Sequence, residues 1–328
     1  MTFASLPMEK SRWLPCLVTA IALLSGCGGT ARHESTEIYY LLAANSRIDY
    51  WQEAAAGLNA AAREMGVRAQ MLGPETYDPQ AEKDALLKAV HQNPPPAGLL
   101  VSAADPEIMR EAIDSAVDAG IPVVTMDADS PKSKRLLFIG TNNYEAGQMG
   151  GEILAKELKG KGTLVFFSIP GQENLNERLE GYKRVIARQP GIKIVQVIDI
   201  HGEPAAAFDS TRGLIDKKTV PDAFACLEAL ACAEVADVLD RAQIRGKTIV
   251  AMDTNDTTLG WIKKGMIRAT IAQKPYTMAY YGLHVIDDLH HYKPVATSGN
   301  RASVPAFIDT GSTLVDAANV NQFQTPAH

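Results

Sequence analysis

Short apolar runs alternate with segments of helical period along most of this chain. The runs cover residues 38–44, 67–72, 98–103, 121–127, 136–140, 163–169, 192–200, 223–227, 248–253 and 267–272. Between the first two, Trp51, Ala54, Ala55, Leu58, Ala61, Ala62 and Met65 recur at spacings of three and four, which places them on one helical face. Gly66 stops that helix, Asn93-Pro94-Pro95-Pro96 closes the next, and Ala119-Gly120-Ile121-Pro122 turns a third into a strand. The succession is a βα series. Unbroken apolar strands such as Leu164-Val165-Phe166-Phe167 indicate sheets covered on both faces, hence parallel sheets between helices. Two sheets of about five or six strands would use the length. The chain passes from strand to helix at Gly140-Thr141-Asn142-Asn143, a crossing between lobes, and a second crossing is expected after Gln273. A long helix spans 276–292, and 307–315 reads as one last strand before a polar end.

The N-terminus follows a different pattern. Lys10 and Arg12 precede about a dozen mostly apolar residues, too few to span a bilayer as a helix. Leu24-Ser25-Gly26-Cys27 then has the form of a lipoprotein cleavage box, with Cys27 as the lipidated residue. An ordinary secretory signal cut nearby, or a core helix, would be the alternatives. Small and polar residues from Gly28 to about Glu37 suit a tether. Removing the signal leaves roughly 300 residues, enough for two domains.

Composition narrows the function. With 32 Lys+Arg against 38 Asp+Glu and no basic stripe, nucleic acid is an unlikely partner. Of the four cysteines, Cys16 leaves with the signal and Cys27 takes lipid, so Cys226 and Cys232 remain. Their spacing across a strand-to-helix turn favours buried free thiols over a disulfide, and no His stands near at zinc-ligand spacing. Asp253-Thr254-Asn255-Asp256 lacks the other positions of a calcium loop. No nucleophile elbow, phosphate loop or dinucleotide fingerprint is present, and the expectation is no enzyme, no cofactor and no metal.

In parallel sheets a ligand binds beyond the carboxyl ends of the strands. That rule selects Asp127, Asp253 and Gln273, each at the end of a different apolar run. Any one of them could instead be a turn former or helix cap. Arg178, early in the helix after 163–169, is a solvated cation or a forked donor to vicinal hydroxyls. Tyr50 and Trp51 offer adjacent rings for a sugar face, although Trp51 also belongs to the apolar stripe.

The blocks Ala119-Gly120-Ile121-Pro122-Val123-Val124-Thr125-Met126-Asp127, Ile139-Gly140-Thr141-Asn142-Asn143, Arg178-Leu179-Glu180-Gly181-Tyr182, Val250-Ala251-Met252-Asp253 and Ala269-Thr270-Ile271-Ala272-Gln273 resemble the ribose-binding-protein-like periplasmic solute receptors. That family shares its fold with the effector domains of LacI-type repressors. The resemblance implies two similar Rossmann-like α/β lobes with parallel sheets, joined by a three-strand hinge, closing on a sugar and delivering it to an ABC importer. It implies Asp127, Arg178, Asp253 and Gln273 as ligand contacts, Tyr50 and Trp51 as ring-stacking aromatics, Asn174 beside a contact position, and Thr141 and Asn142 in the hinge. Where the family commonly carries Arg and Asn, this chain has Ala128, followed by Asp129, and Leu227-Glu228. Glu228 therefore joins the candidate ligand contacts, Asp129 is a carboxylate the cleft would gain, and no aromatic is evident near His201. The implied organisation is a signal over 1–26, lipidated Cys and tether over 27–37, an N-terminal lobe of 38–141 plus 274–305, and a C-terminal lobe of 142–273 plus 306–328. Partners would be a monosaccharide or polyol, a permease, and the periplasmic membrane through the Cys27 lipid, with the protein a monomer. The alternative is a ligand sensor docking to a membrane kinase or chemoreceptor.

Overall fold

The computed structural model describes residues 1–2, 33–292 and 305–323. The lipobox, the apolar run before it, the start of the tether and the last five residues lie outside the described residues. Internal packing divides the chain into two units, Met1–Ser35 and Thr36–His328. All the strands and helices below belong to the second.

The first half runs β1 (Ile38–Leu42), α1 (Asp49–Met65), β2 (Arg68–Leu72), α2 (Pro79–Val90), β3 (Gly98–Val101), α3 (Pro106–Asp118), β4 (Val123–Met126) and β5 (Leu137–Gly140). The second runs α4 (Asn143–Glu157), β6 (Lys161–Ser168), α5 (Glu173–Ile186), β7 (Gly191–Asp199), α6 (Pro204–Asp216), β8 (Ala223–Cys226), α7 (Ala231–Arg241), β9 (Thr248–Met252), α8 (Asp256–Lys263) and β10 (Ala269–Ala272). Then come α9 (Pro275–His291), β11 (Phe307–Asp309) and β12 (Thr313–Asp316). Each expected apolar run forms a strand within a few residues of its predicted limits.

The strands form two six-stranded sheets, ordered β11-β5-β4-β3-β1-β2 and β12-β10-β9-β8-β6-β7. The orders are equivalent, strand for strand. Only the last pairing differs, since β11 runs parallel to β5 whereas β12 runs antiparallel to β10. Burial on both faces explains why strand residues read as unbroken apolar runs. In β1, Tyr39 and Leu41 pack into the core under α1 and α9, while Tyr40 and Leu42 pack into the core under α2 and α3.

Local chemistry sets the helix ends. Asp78 and Asp105 each accept two backbone N–H bonds, and each is followed by a proline whose missing N–H costs nothing at that position. Gly66 ends α1 in the left-handed conformation (φ 72°). Helices α4 and α5 approach closely enough that a Cβ on Gly147 would collide with the Arg178 carbonyl, and one on Gly181 with that of Tyr144. That approach fixes the height of Arg178 over the second sheet.

One expectation is corrected. Residues 307–315 are not a single strand: Thr310, Gly311 (φ 76°) and Ser312 break it, and the two pieces join different sheets. Phe307–Asp309 therefore belongs with the first sheet, not with the C-terminal lobe expected for 306–328. The physical cause is the turn at Gly311, where Asp309 Oδ1 accepts from Gly311 N (2.8 Å) and from Asn142 N (3.1 Å). Thr310 adds two bonds to the Gly140 carbonyl, through N (2.8 Å) and Oγ1 (3.0 Å). Thr141 Oγ1 donates to Gln273 Oε1 (2.9 Å), so the crossings at 140–143, 272–275 and 309–313 lie side by side.

Candidate functional site

Both sheets end their equivalent strands, β4 and β9, in an aspartate with left-handed backbone: Asp127 at φ 67° and Asp253 at φ 66°. Few residues besides glycine accept that region, and Asp and Asn do so best. The turn is held by the neighbouring strand, with Asp127 N donating to Ile139 O (3.2 Å) and Asp253 N to Ile271 O (2.9 Å). It swings each carboxylate off the strand end into the space between the sheets.

Two hydrogen-bonded polar clusters line that space. Asp127 accepts from Tyr50 Oη (2.6 Å) and Ser102 Oγ (3.3 Å). Gln273 Nε2 donates to Asp253 Oδ1 (3.0 Å), and Gln273 Oε1 accepts from Arg178 Nη2 (2.7 Å). Arg178, 2% exposed, also donates from Nη1 to Leu227 O (2.7 Å) and from Nε to Asn143 Oδ1 (2.9 Å). The solvated alternative for Arg178 is thereby excluded. Tyr50 and Trp51 meet edge to face with centroids 5.3 Å apart, and Trp51 is buried.

These groups line a small cavity of about 80 Å³ between the sheets. Tyr50, Trp51, Asp127, Asn174, Arg178, Glu228, Asp253 and Gln273 all line it. Thr141 and Asn142 lie at the crossing instead, where Asn142 caps α4 through Glu145 N (3.2 Å). Asn174 Oδ1 accepts from its neighbour Leu175 N (2.9 Å). Glu228 has a structural task as well, since its carboxylate takes Leu230 N (2.6 Å) and Ala231 N (2.9 Å) at the start of α7.

Three expectations change here. Asp129 adds no carboxylate to the cleft, because Arg135 grips it with two bonds (2.7 and 2.6 Å) on a half-buried flank. Cys226 and Cys232 form a disulfide rather than two free thiols: the turn after β8 folds α7 back so that their Cα atoms are 5.6 Å apart. An aromatic does stand near His201, but it comes from the other sheet. Tyr77 lines the cavity beside Gly202 and donates to Ala104 O (3.0 Å). Asn45 and Gln172 also line the cavity. The strand-end rule selects all three in principle: Asn45 and Tyr77 follow β1 and β2, and Gln172 sits between β6 and α5. Polar loop residues of ordinary type carry no further signal.

Burial governs the titration of the site. Desolvation raises the Asp127 carboxyl above its usual range, opposed by Arg178 and the Tyr50 hydroxyl. Asp253 is pushed up to about 6 by desolvation, again opposed by Arg178. Glu228 is pushed up to about 7 by burial, against the pull of its two backbone donors. Burial, with the charges of Asp127 and Asp253, raises the Tyr50 phenol and keeps it a donor. The arrangement offers acceptors from both sheets, a buried guanidinium and aromatic faces.

Comparison with known proteins fits this geometry. Residues 38–293 match the model of the periplasmic binding protein domain. The ribose import binding protein RbsB of Bacillus subtilis is 28% identical over 204 residues, 60% of this chain and 64% of that protein, so the match spans less than two thirds of that relative. A sugar-binding protein of a sugar ABC transporter from Bacillus halodurans superposes with a TM-score of 0.78 at 32% identity, covering 88% of this chain and all of that one. AraP, an arabinose-binding protein from Geobacillus stearothermophilus, gives 0.74 at 31% identity over 88% and 99%. The doubled βα order, the paired strand-end aspartates and these matches together show that the chain belongs to the periplasmic binding protein family, in its two-lobed α/β form.

Proposed function

We propose that this chain is a non-enzymatic extracytoplasmic receptor that binds a monosaccharide or related polyol between its lobes, closes around it and delivers it to an ABC importer. The observation that carries this reading is the pair of left-handed aspartates, one from each sheet, facing a shared cavity walled by Tyr50, Trp51 and Arg178. Hydroxyl groups donate to carboxylates, and ring faces cover C–H surfaces. Closure excludes water and strengthens every such bond. The solved relatives that bind arabinose or other sugars support the same ligand class.

The lobes of this reading are 38–141 with 274–292 and 305–309, and 142–273 with 313–323, and Thr141 and Asn142 lie in the hinge between them. The N-terminal pattern adds an anchor: lipid at Cys27 holds the receptor beside its permease, because two or more acyl chains retain a protein where one does not. Labelling with a palmitate analogue should mark the wild type and not Cys27→Ala; labelling that persists rejects the anchor. The binding reading is tested by a thermal-shift screen of the mature protein against pentoses, hexoses, polyols, nucleosides and amino acids. Stabilisation of several degrees by a sugar or polyol, lost in Asp127→Ala and Asp253→Ala, is expected. A response only to amino acids or nucleosides overturns it.

A further inference from the structure

Carboxylates far outnumber cations along the lining of the cleft. Among the described residues its inner cavity is lined by Asp127, Glu228 and Asp253 against one cation, Arg178. The outer mouth, continuous with it through Tyr50, Asp253 and Gln273, adds Asp49, Glu53, Glu234 and Asp256 and, among the described residues, no Lys, Arg or His. Lys274 lines a neighbouring recess instead. The whole chain exceeds neutrality by only six negative charges, so the bias is local.

Part of this charge is satisfied by the fold. Glu228 is held by the N-terminal amides of α7, while Asp49 and Asp256 sit in the first turns of α1 and α8, where the helix dipole favours an anion. Asp127 and Asp253 have no such support. Each is more than nine-tenths buried, and their hydrogen bonds come from neutral donors: two hydroxyls for Asp127, one amide for Asp253. Arg178 gives its own bonds to two side-chain amide oxygens and a peptide carbonyl, not to a carboxylate. Where the family often places a second guanidinium there is Ala128, 1% exposed.

Two desolvated carboxylates without a direct ion pair are costly unless a cation arrives. A sugar hydroxyl supplies a hydrogen bond and no charge; an ammonium supplies up to three donors and the missing charge together. The rings of Tyr50 and Trp51 in the same wall favour a cation as well as C–H faces. We propose that the preferred ligand is a polyhydroxylated amine, an amino sugar or amino polyol whose ammonium group is received by Asp127 and Asp253 and drawn in by the acidic mouth.

This rests on the cleft being the sugar site, and the test separates the two readings. Calorimetric titration of the mature protein at about pH 7 compares D-galactosamine, D-glucosamine and 1-amino-1-deoxysorbitol with galactose, glucose, sorbitol and the two N-acetyl hexosamines. At least one amine should bind about tenfold or more tightly than its neutral parent and its acetylated form. The preference should shrink in raised salt, which screens the mouth. Replacing Glu53→Gln together with Glu234→Gln should weaken the amine a few-fold and leave neutral sugars unchanged. If a neutral sugar binds as tightly as every amine, the inference is wrong and the sugar reading stands; if no polyhydroxylated compound binds, both fall.

Discussion

Asp253 shows what a strand-end carboxylate costs and provides. Its pKa is about 6 in the folded chain against an ordinary 3.8, with desolvation as the main cause. Between those values the folded protein holds more protons than the unfolded one, so this group lowers stability as pH rises through the window and keeps it lowered above. Asp253→Asn should therefore melt a few degrees above the wild type near pH 8, and the gap should close as pH approaches 4; a constant gap in differential scanning fluorimetry would count against the buried charge. Ligand affinity should run the other way, weakening as pH falls below about 6 if the ionised form accepts the ligand's donors. Arg178 makes the complementary case. Removing it as Arg178→Ala takes the guanidinium donor from Leu227 O and Asn143 Oδ1, at about 1–3 kcal/mol for each one left buried and unpaired, while Gln273 Oε1 keeps Thr141 Oγ1. The expected loss is about 3 kcal/mol or more in urea unfolding, only partly recovered by Lys, which cannot fork. Both residues were legible in the sequence as polar groups at strand ends and helix starts. The left-handed turn at Asp127 and Asp253 was not, because Asp in a loop has several cheap conformations and only the pairing to Ile139 and Ile271 selects this one.

At the level of elements, ten apolar runs became ten strands: most strands inside the sheets are buried on both faces and read as unbroken apolar runs, while the edge strands β2 and β7 expose part of one face. The exceptions are short and polar. Residues 307–315 carry a polar interruption, Asp309 to Thr313, and the Gly311 turn within it, bonded to Asp309, divides them between sheets. The segment from β8 to α7 is the other case. Its disulfide closes a loop of six positions around Leu227, Glu228, Ala229 and Leu230, all but Leu227 lining the cavity, while the Leu227 carbonyl receives Arg178. Spacing alone could not distinguish this from two thiols facing apart. Closing so short a loop is worth about 2 kcal/mol in the chain-entropy account. Cys226→Ser with Cys232→Ser should lose about that much stability and, because the loop carries cavity wall, should also weaken ligand binding several-fold. Thiol titration in denaturant should find neither cysteine free in the wild-type mature protein.

For the whole α/β body, the doubled strand order places the crossings and the cleft's far side at opposite edges. The crossings at 140–143, 272–275 and 309–313 join the sheets beside β5, β10, β11 and β12, and the edges farthest along each sheet are β2 and β7. Beyond those edges Tyr77 packs against the cores of both sheets, and Gly202 leaves it room, since a Cβ there would strike the Tyr77 side chain. A hinge at the crossings would move this pair more than any residue near Thr141. Spin labels on Asp84 of α2 and Ala205 of α6, both exposed, would report that movement. A bound sugar or amino sugar should shorten and narrow their separation by several ångström, in keeping with hinge closure. Tyr77→Ala should leave the bound distribution broader and the affinity lower, because the closed edge loses its apolar contact. Gly202→Ala should hold the edges apart, through both the added methyl group and the left-handed backbone at φ 75°. If the distance distribution is the same with and without ligand in all these chains, the two sheets act as one rigid cup, and release to a permease must depend on something other than opening at the crossings.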